Sequence, residues 1–367
     1  MKQLFFMACL LGCVHAQAQY NITFHLKTLP SYHLANAPVF ITGDFNNWNP
    51  GDSAFGFANN LLTIQLPKGT YEYKFTGGTW QTTEAGEEGK AVENRKLDVK
   101  SDTTIVITIM NWADHFPAPD KKSTASKNVH IIDTAFYMPQ LNRHRRIWIY
   151  LPEHYASSRK KYPVLYMHDG QNVFDDATSY AGEWGVDETL DAQTGECIVV
   201  AIDNGGDKRM NEYAPYDMEK WGKGEGDAYI DFIVKTLKPY IQKHYRVRRG
   251  HKHQFIAGSS MGGLISFYAM LKYPKAFGGA GVFSPAFWVA PQLKDAIETH
   301  AKHVKGKIYF YAGKEESARM VPDMLAVLEQ MSKHSKAKME TVIRSEGQHS
   351  ESRWRQEFPL FYNWLMK

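Results

Sequence analysis

The feature that most constrains this chain is a series of near-continuous apolar runs spaced along its second half. They read "RIWIYL", "YPVLYMH", "CIVVAI", "HQFIA", "KIYFYA" and "ETVIR" between Arg146 and Arg344. Stretches of helical period separate several of them. In "DAYIDFIVKTLKPYIQKHY", Ile230, Ile233, Val234 and Leu237 recur at three- and four-residue spacing. A strand that is apolar on both faces must be covered on both faces, and helices between strands provide that cover. The expectation is an α/β domain over 129–367 built on a mostly parallel central sheet.

The first half follows a different rhythm. From Tyr20 to Asn111, short alternating segments such as "NITFHL", "LLTIQL", "TYEYKF" and "TTIVITI" are punctuated by Asn-Pro-Gly and Pro-Lys-Gly. Alternation with turn chemistry and no helical period predicts a small all-β, immunoglobulin-like sandwich over 19–112. Between them, residues 113–128 include "DHFPAPDKKSTASKN", which has the composition of a linker. Residues 1–18 combine Lys2, an apolar core from Leu4 to Val14 and Ala16-Gln17-Ala18, the pattern of a secretory signal peptide. Cys13 after Leu-Leu-Gly offers a lipoprotein variant of the same export. The expected location is therefore periplasmic or secreted, with lipid anchoring at Cys13 as the alternative. Removal at Ala18 leaves Cys197 as the sole cysteine, so no disulfide staples the fold.

With 43 basic against 39 acidic residues and no basic block among aromatics, a nucleic-acid partner is not expected. No later segment has the roughly 20 apolar residues of a membrane span. No metal-ligand spacing such as H-E-x-x-H occurs, so neither metal nor cofactor is expected.

Two adjacent serines sit in "HQFIAGSSMGGLISFYAML". A nucleophile on a tight strand-to-helix turn needs small residues two before and two after. Ser260 has Gly258 and Gly262 there, whereas Ser259 has Ala257 and Met261. Ser260 is thus the candidate. A serine hydroxyl becomes nucleophilic when a histidine takes its proton and a carboxylate orients that histidine. In chain order serine, acid, histidine, "KIYFYAGKEES" supplies Glu315 and Glu316, and "ETVIRSEGQHSESRW" supplies His349. His300, His303 and His334 lie in lysine-rich helical segments and fit less well. Two oxyanion donors are expected from the amides of Met261 and of Gln171 in "LYMHDGQNVFD", with Gly170 admitting the backbone. His168 and Asp169 read as supports of that loop. Trp184, Arg209, Tyr213 and Trp288 are candidates for the substrate rim.

The segments "VLYMHDGQNVFD", "IDNGGDKRMNEYAPY", "IAGSSMGGLISFYAMLKYPKAFGGAGVFSPAFW", "YFYAGKEES" and "EGQHSESRW" make the second half resemble the putative esterase family of α/β-hydrolases. That family includes feruloyl and acetylxylan esterases, esterase D and enterobactin-type trilactone esterases. The resemblance runs from about Arg146 to the C-terminus. It implies an α/β-hydrolase fold, Ser260 as nucleophile, His349 as base and Glu316 as acid, with Glu315 as the fallback. In the first half, "VFITGDFNNWNPG", "GTYEYKFTGGTWQ" and "ENRKLDV" resemble glycogen- and starch-binding modules. That likeness implies Trp48 and Trp80 as a sugar-stacking platform, with Lys74 and Asn94 as polar contacts. Together they imply an exported serine esterase of acylated carbohydrate, whose partners are a small-molecule or oligosaccharide ester and a polysaccharide held by the module. A trilactone siderophore esterase and a glycan-binding protein with an inactive hydrolase half are the alternatives.

Overall fold

The structure, a computed structural model, describes residues 19–46, 48–116, 121–219 and 221–367. The leader and Cys13 readings lie outside the described residues. The chain divides into two compact units, residues 1–117 and 118–367.

The first unit is strand-rich. Its strands are β1 (Gln19–Thr28), β2 (Phe40–Gly43), β3 (Leu61–Pro67), β4 (Gly69–Thr76), β5 (Glu84–Ala85), β6 (Arg95–Val99), β7 (Thr103–Thr108) and β8 (Asn111–Trp112). They form sheets ordered β3-β1-β7, β2-β4-β6 and β5-β8. Alternation puts Ile22, Phe24 and Leu26 of β1 and Tyr73 and Phe75 of β4 into one buried core. Phe24 meets Tyr73 edge to face at 5.5 Å, joining one sheet to the other.

The second unit carries β9 (Val129–Met138), β10 (Arg143–Tyr150), β11 (Val164–His168), β12 (Ile198–Ile202), β13 (Gln254–Ser259), β14 (Gly279–Phe283), β15 (Lys307–Gly313) and β16 (Lys338–Arg344). Its helices are α1 (Val186–Ala192), α2 (Arg209–Tyr213), α3 (Gly226–Phe232), α4 (Lys238–His244), α5 (Met261–Lys272), α6 (Leu293–His300), α7 (Met320–His334) and α8 (Glu351–Met366). A π turn at Ile233–Leu237 joins α3 to α4, so the helical stretch read from the sequence is one rod with a widened middle. The eight-stranded sheet runs β16-β15-β14-β13-β11-β12-β10-β9. Neighbours from β16 to β12 pair in parallel, while β10 and β9 close the other edge antiparallel.

The apolar runs follow from burial on both sides. In β11, Val164 and Tyr166 enter the core under α2 to α7, while Leu165 and Met167 enter the core under α1 and α8. On that second face Phe283 is wedged between Trp184, at 4.9 Å, and Phe361, at 5.4 Å.

The expected 113–128 linker is largely built into the two units. Ala113–His115 forms a 3-10 turn, and the His115 ring stacks on Tyr32 at 3.4 Å. Further on, Ser123 Oγ donates to Asp175 at 2.8 Å and the Ser126 amide to Asp187 at 2.7 Å. From Ser123 to Ser126 the anchors are hydrogen bonds, which is why the composition there reads as a tether. Among the described residues no helix is long and apolar enough to cross a membrane.

Phe283 sets the packing of the second core, and Phe283→Ala should cost about 3–5 kcal/mol. Urea unfolding followed by tryptophan fluorescence would measure it.

Candidate active site

The site begins where β13 turns into α5. Ser260 caps α5 with φ 57° and ψ −120°, a conformation that costs a non-glycine residue about 1–3 kcal/mol. The surroundings hold it there. The Ser260 amide donates to the Phe283 carbonyl at 2.9 Å, and the Ser260 carbonyl accepts from Leu264 and Ala286 at 3.0 and 3.1 Å. A Cβ on Gly258 would lie 2.9 Å from the His168 ring, and one on Gly263 would lie 2.7 Å from the Phe283 carbonyl oxygen. The turn therefore exists because these positions lack side chains. Ser259, one residue earlier, stays buried at the end of the strand.

His349 and Glu316 lie on the loops after β16 and β15. His349 Nδ1 is 2.8 Å from Glu316 Oε2. A carboxylate can only accept, so Nδ1 carries the hydrogen, and in the neutral ring this leaves the lone pair on Nε2. Glu316 has a side chain only 1% exposed and is held at its other oxygen. Oε1 accepts from the Gly313 amide at 2.5 Å and from the Ser284 hydroxyl at 2.8 Å. The Trp354 indole donates to that same hydroxyl at 2.8 Å, and the Trp354 ring meets His349 edge to face at 5.0 Å. Glu315 is exposed, and its amide donates to Gly347.

Ser284 and Trp354 were not singled out from the sequence. The phrase "VFSPAFW" places a serine after a strand on the same sheet edge, and that position was the available signal.

The loop after β11 approaches from the other side. Gly170 passes so close to β12 that a Cβ would lie 2.8 Å from the Asp203 nitrogen. Gln171 sits in the following 3-10 turn, with its side-chain oxygen accepting from the Asn204 amide at 3.1 Å. Arg209 grips Asp169 with two bonds, Nε to Oδ1 at 2.6 Å and a guanidinium NH₂ to Oδ2 at 2.9 Å. Burial pushes the Asp169 carboxyl up, but the Arg209 charge and the hydrogen bonds from Arg209 and Asn204 together outweigh it and hold the group below the usual range. His168 is buried, with Nδ1 2.9 Å from the Tyr229 hydroxyl, and burial pushes its ring down to about 3.

Four rim candidates separate on this geometry. Trp184 is buried against Phe283 and Trp354, and Tyr213 is fully buried with its hydroxyl accepting from the Asp169 amide at 3.3 Å. Both support the site rather than line it. Arg209 is committed to Asp169, and the half-buried Trp288 faces Trp221 at 6.1 Å.

In the first unit, Trp48 and Trp80 come together with ring centres 6.4 Å apart and planes 25° from parallel. Asp44 accepts from the Trp48 indole at 3.1 Å and from the Glu72 amide at 2.7 Å. Trp80 is 37% exposed. The polar candidates turn to protein partners, Lys74 to the Val92 carbonyl and Asn94 to Glu72 at 2.8 Å.

The second unit is therefore an α/β-hydrolase. A family model for the putative esterases matches residues 138–362, and the chain belongs to that family of hydrolases acting on esters. Among curated relatives, the uncharacterised Bacillus subtilis protein YbbA is 28% identical over 182 residues, 47% of this chain and 69% of its own length. An α-amylase of Niallia circulans is 35% identical over 101 residues, 26% of this chain. An endo-1,4-β-xylanase/feruloyl esterase of Xylanibacter ruminicola is 21% identical over 179 residues, 45% of this chain. The matches span only 8% of the amylase and 23% of the xylanase/esterase. Among solved structures, the enterobactin esterase of Shigella flexneri aligns with a TM-score of 0.55 at 15% identity, covering 95% of this chain and 92% of that one. A ferulic acid esterase aligns at 0.51 and 19% identity, covering 65% and 98%. These likenesses establish the fold.

The His168 ring generates a pH prediction. Its folded value lies below the unfolded value of about 6.5, so the unfolded chain binds the extra proton between the two. Stability should fall by about 1.4 kcal/mol per pH unit as pH drops from 6.5 towards 3. His168→Gln should flatten that part of the wild-type profile in urea titrations at successive pH values. Ser284→Ala, which leaves the Trp354 indole without its acceptor, should cost about 1–3 kcal/mol in the same assay.

Proposed function

We propose that the protein is an exported serine esterase that hydrolyses acyl esters of carbohydrate, of acetyl or feruloyl type, through an acyl-enzyme. The observation that carries this reading is Ser260 held in a left-handed turn at the start of α5, together with the His349 Nδ1–Glu316 contact of 2.8 Å. Ser260 Oγ attacks the ester carbonyl as His349 Nε2 takes its proton, and Glu316 stabilises the imidazolium that forms. The Met261 amide, in the first turn of α5 and without an intrahelical acceptor, and the Gln171 amide stabilise the oxyanion. His349 then returns the proton to the leaving alcohol and activates water to release the acid.

The carbohydrate part of the reading rests on the paired Trp48 and Trp80 rings and on the amylase and xylanase/feruloyl esterase among the relatives. The first unit acts as a starch- or glycogen-binding β-sandwich that keeps the ester near a polysaccharide. Hydrolysis of a trilactone siderophore is the second reading, favoured by the enterobactin esterase whose fold parallels this one over both units.

A fluorescent fluorophosphonate should label Ser260, and Ser260→Ala should abolish the label while Ser259→Ala keeps it. Ser260→Ala and Glu316→Gln should each lower kcat on acetylated or feruloylated oligosaccharide by roughly 10⁴-fold or more. Faster turnover of a trilactone would select the second reading. Labelling and hydrolysis that are both absent, with polysaccharide affinity retained, would leave a glycan-binding protein. Trp80→Ala should weaken retention on a starch column at least about tenfold, and unchanged retention would remove the sugar-binding role.

A further inference from the structure

A second cluster of charge in the larger unit takes no part in the ester chemistry. Glu183, Asp187 and Glu188 bring carboxylate oxygens within 4.8 Å of one another. Glu183 is 5% exposed and Asp187 0%. On each of the three, one buried oxygen has no hydrogen-bond partner: Glu183 Oε2, Asp187 Oδ1 and Glu188 Oε2. The other oxygens are engaged. Arg355 reaches Glu183 Oε1 at 3.2 Å and Glu188 Oε1 at 3.3 Å, while the Ser126 amide donates to Asp187 Oδ2 at 2.7 Å.

Three carboxylates meet one guanidinium, and carboxylates crowded together in a largely buried pocket need a shared proton or a cation between them. Buried charges of this kind are paired or coordinate metals. An all-oxygen donor set selects a hard divalent cation over zinc or copper. Calcium takes six to eight oxygens in a flexible arrangement and binds several carboxylates directly, whereas magnesium demands a near-ideal octahedron, keeps several waters and is held by one or two carboxylates. Three carboxylates gathered together, two of them buried, suit calcium better.

We propose that Glu183, Asp187 and Glu188 form a binding site for one Ca²⁺ ion, with Arg355 completing the charge balance. The ion ties three segments together: the stretch around Ser126, the start of α1, and α8 through Arg355. On the same loop Trp184 stacks on Trp354 at 5.7 Å, and α8 starts two residues after His349. Binding therefore braces the base of the histidine loop from outside the reaction.

The full chain, stripped with a chelator, would be titrated with CaCl₂ and with MgCl₂ by isothermal calorimetry, with thermal unfolding in parallel. The expected result is one Ca²⁺ per chain and a rise in Tm of roughly 5–10 °C at about 100 times the Kd, with both lost in Glu183→Gln and Asp187→Asn. If Asp187→Asn does not fold, Glu188→Gln takes its place. No heat and no shift with either ion would overturn the proposal and leave a shared proton as what neutralises the cluster. A response surviving in the variants would place the ion elsewhere, and tighter binding of Mg²⁺ would overturn the assignment to calcium. Calorimetry and Tm do not depend on ester turnover, so failure here is separable from failure of the esterase reading.

Discussion

Everything at the candidate site depends on one strained turn, the crossing from β13 to α5 at Ser260. The strain is sustained because the chain has nowhere else to go: the Ser260 amide is bonded to Phe283 on the next strand, and Gly258 and Gly263 sit where a Cβ would collide. The sheet then does the positioning. Strands β13 to β16 lie side by side and parallel, so the loops that follow them open at one edge. Ser260, Ser284, Glu316 and His349 thus come from four successive strand ends, and chain order becomes spatial order.

Much of this was legible in the residues. The G-x-S-x-G spacing singled out Ser260 over Ser259 because glycine requirements are local and sterically strict. The Glu315 or Glu316 question could not be answered locally. It depends on which side chain turns inward, and the structure buries Glu316 against the Gly313 amide of its own strand and the Ser284 hydroxyl at the end of the neighbouring one, while Glu315 is exposed. Aromatic residues misled for the same reason. Trp184 and Tyr213 stand in polar, loop-like sequence, yet they pack under the site, since sequence position does not tell a rim from the layer beneath it.

The acidic cluster shows another limit of sequence spacing. Metal motifs become recognisable when ligands recur at fixed offsets of histidine or cysteine. Glu183 precedes α1, while Asp187 and Glu188 open it, an arrangement that in sequence looks like ordinary acidic residues at the start of a helix. Only the burial of Glu183 and Asp187, and the arrival of Arg355 from α8, marks the group as a charge problem that needs an answer.

Gly313 and Gly347 touch so closely that a Cβ on the first would lie 2.1 Å from the carbonyl oxygen of the second. Around this contact the Lys314 amide donates to Arg344 at 2.9 Å and the Glu315 amide to Gly347 at 3.0 Å. The Glu316 loop and the His349 loop are therefore laced together along their backbones, so that a change in the path of either one is passed to the other and the imidazole and its carboxylate are placed jointly.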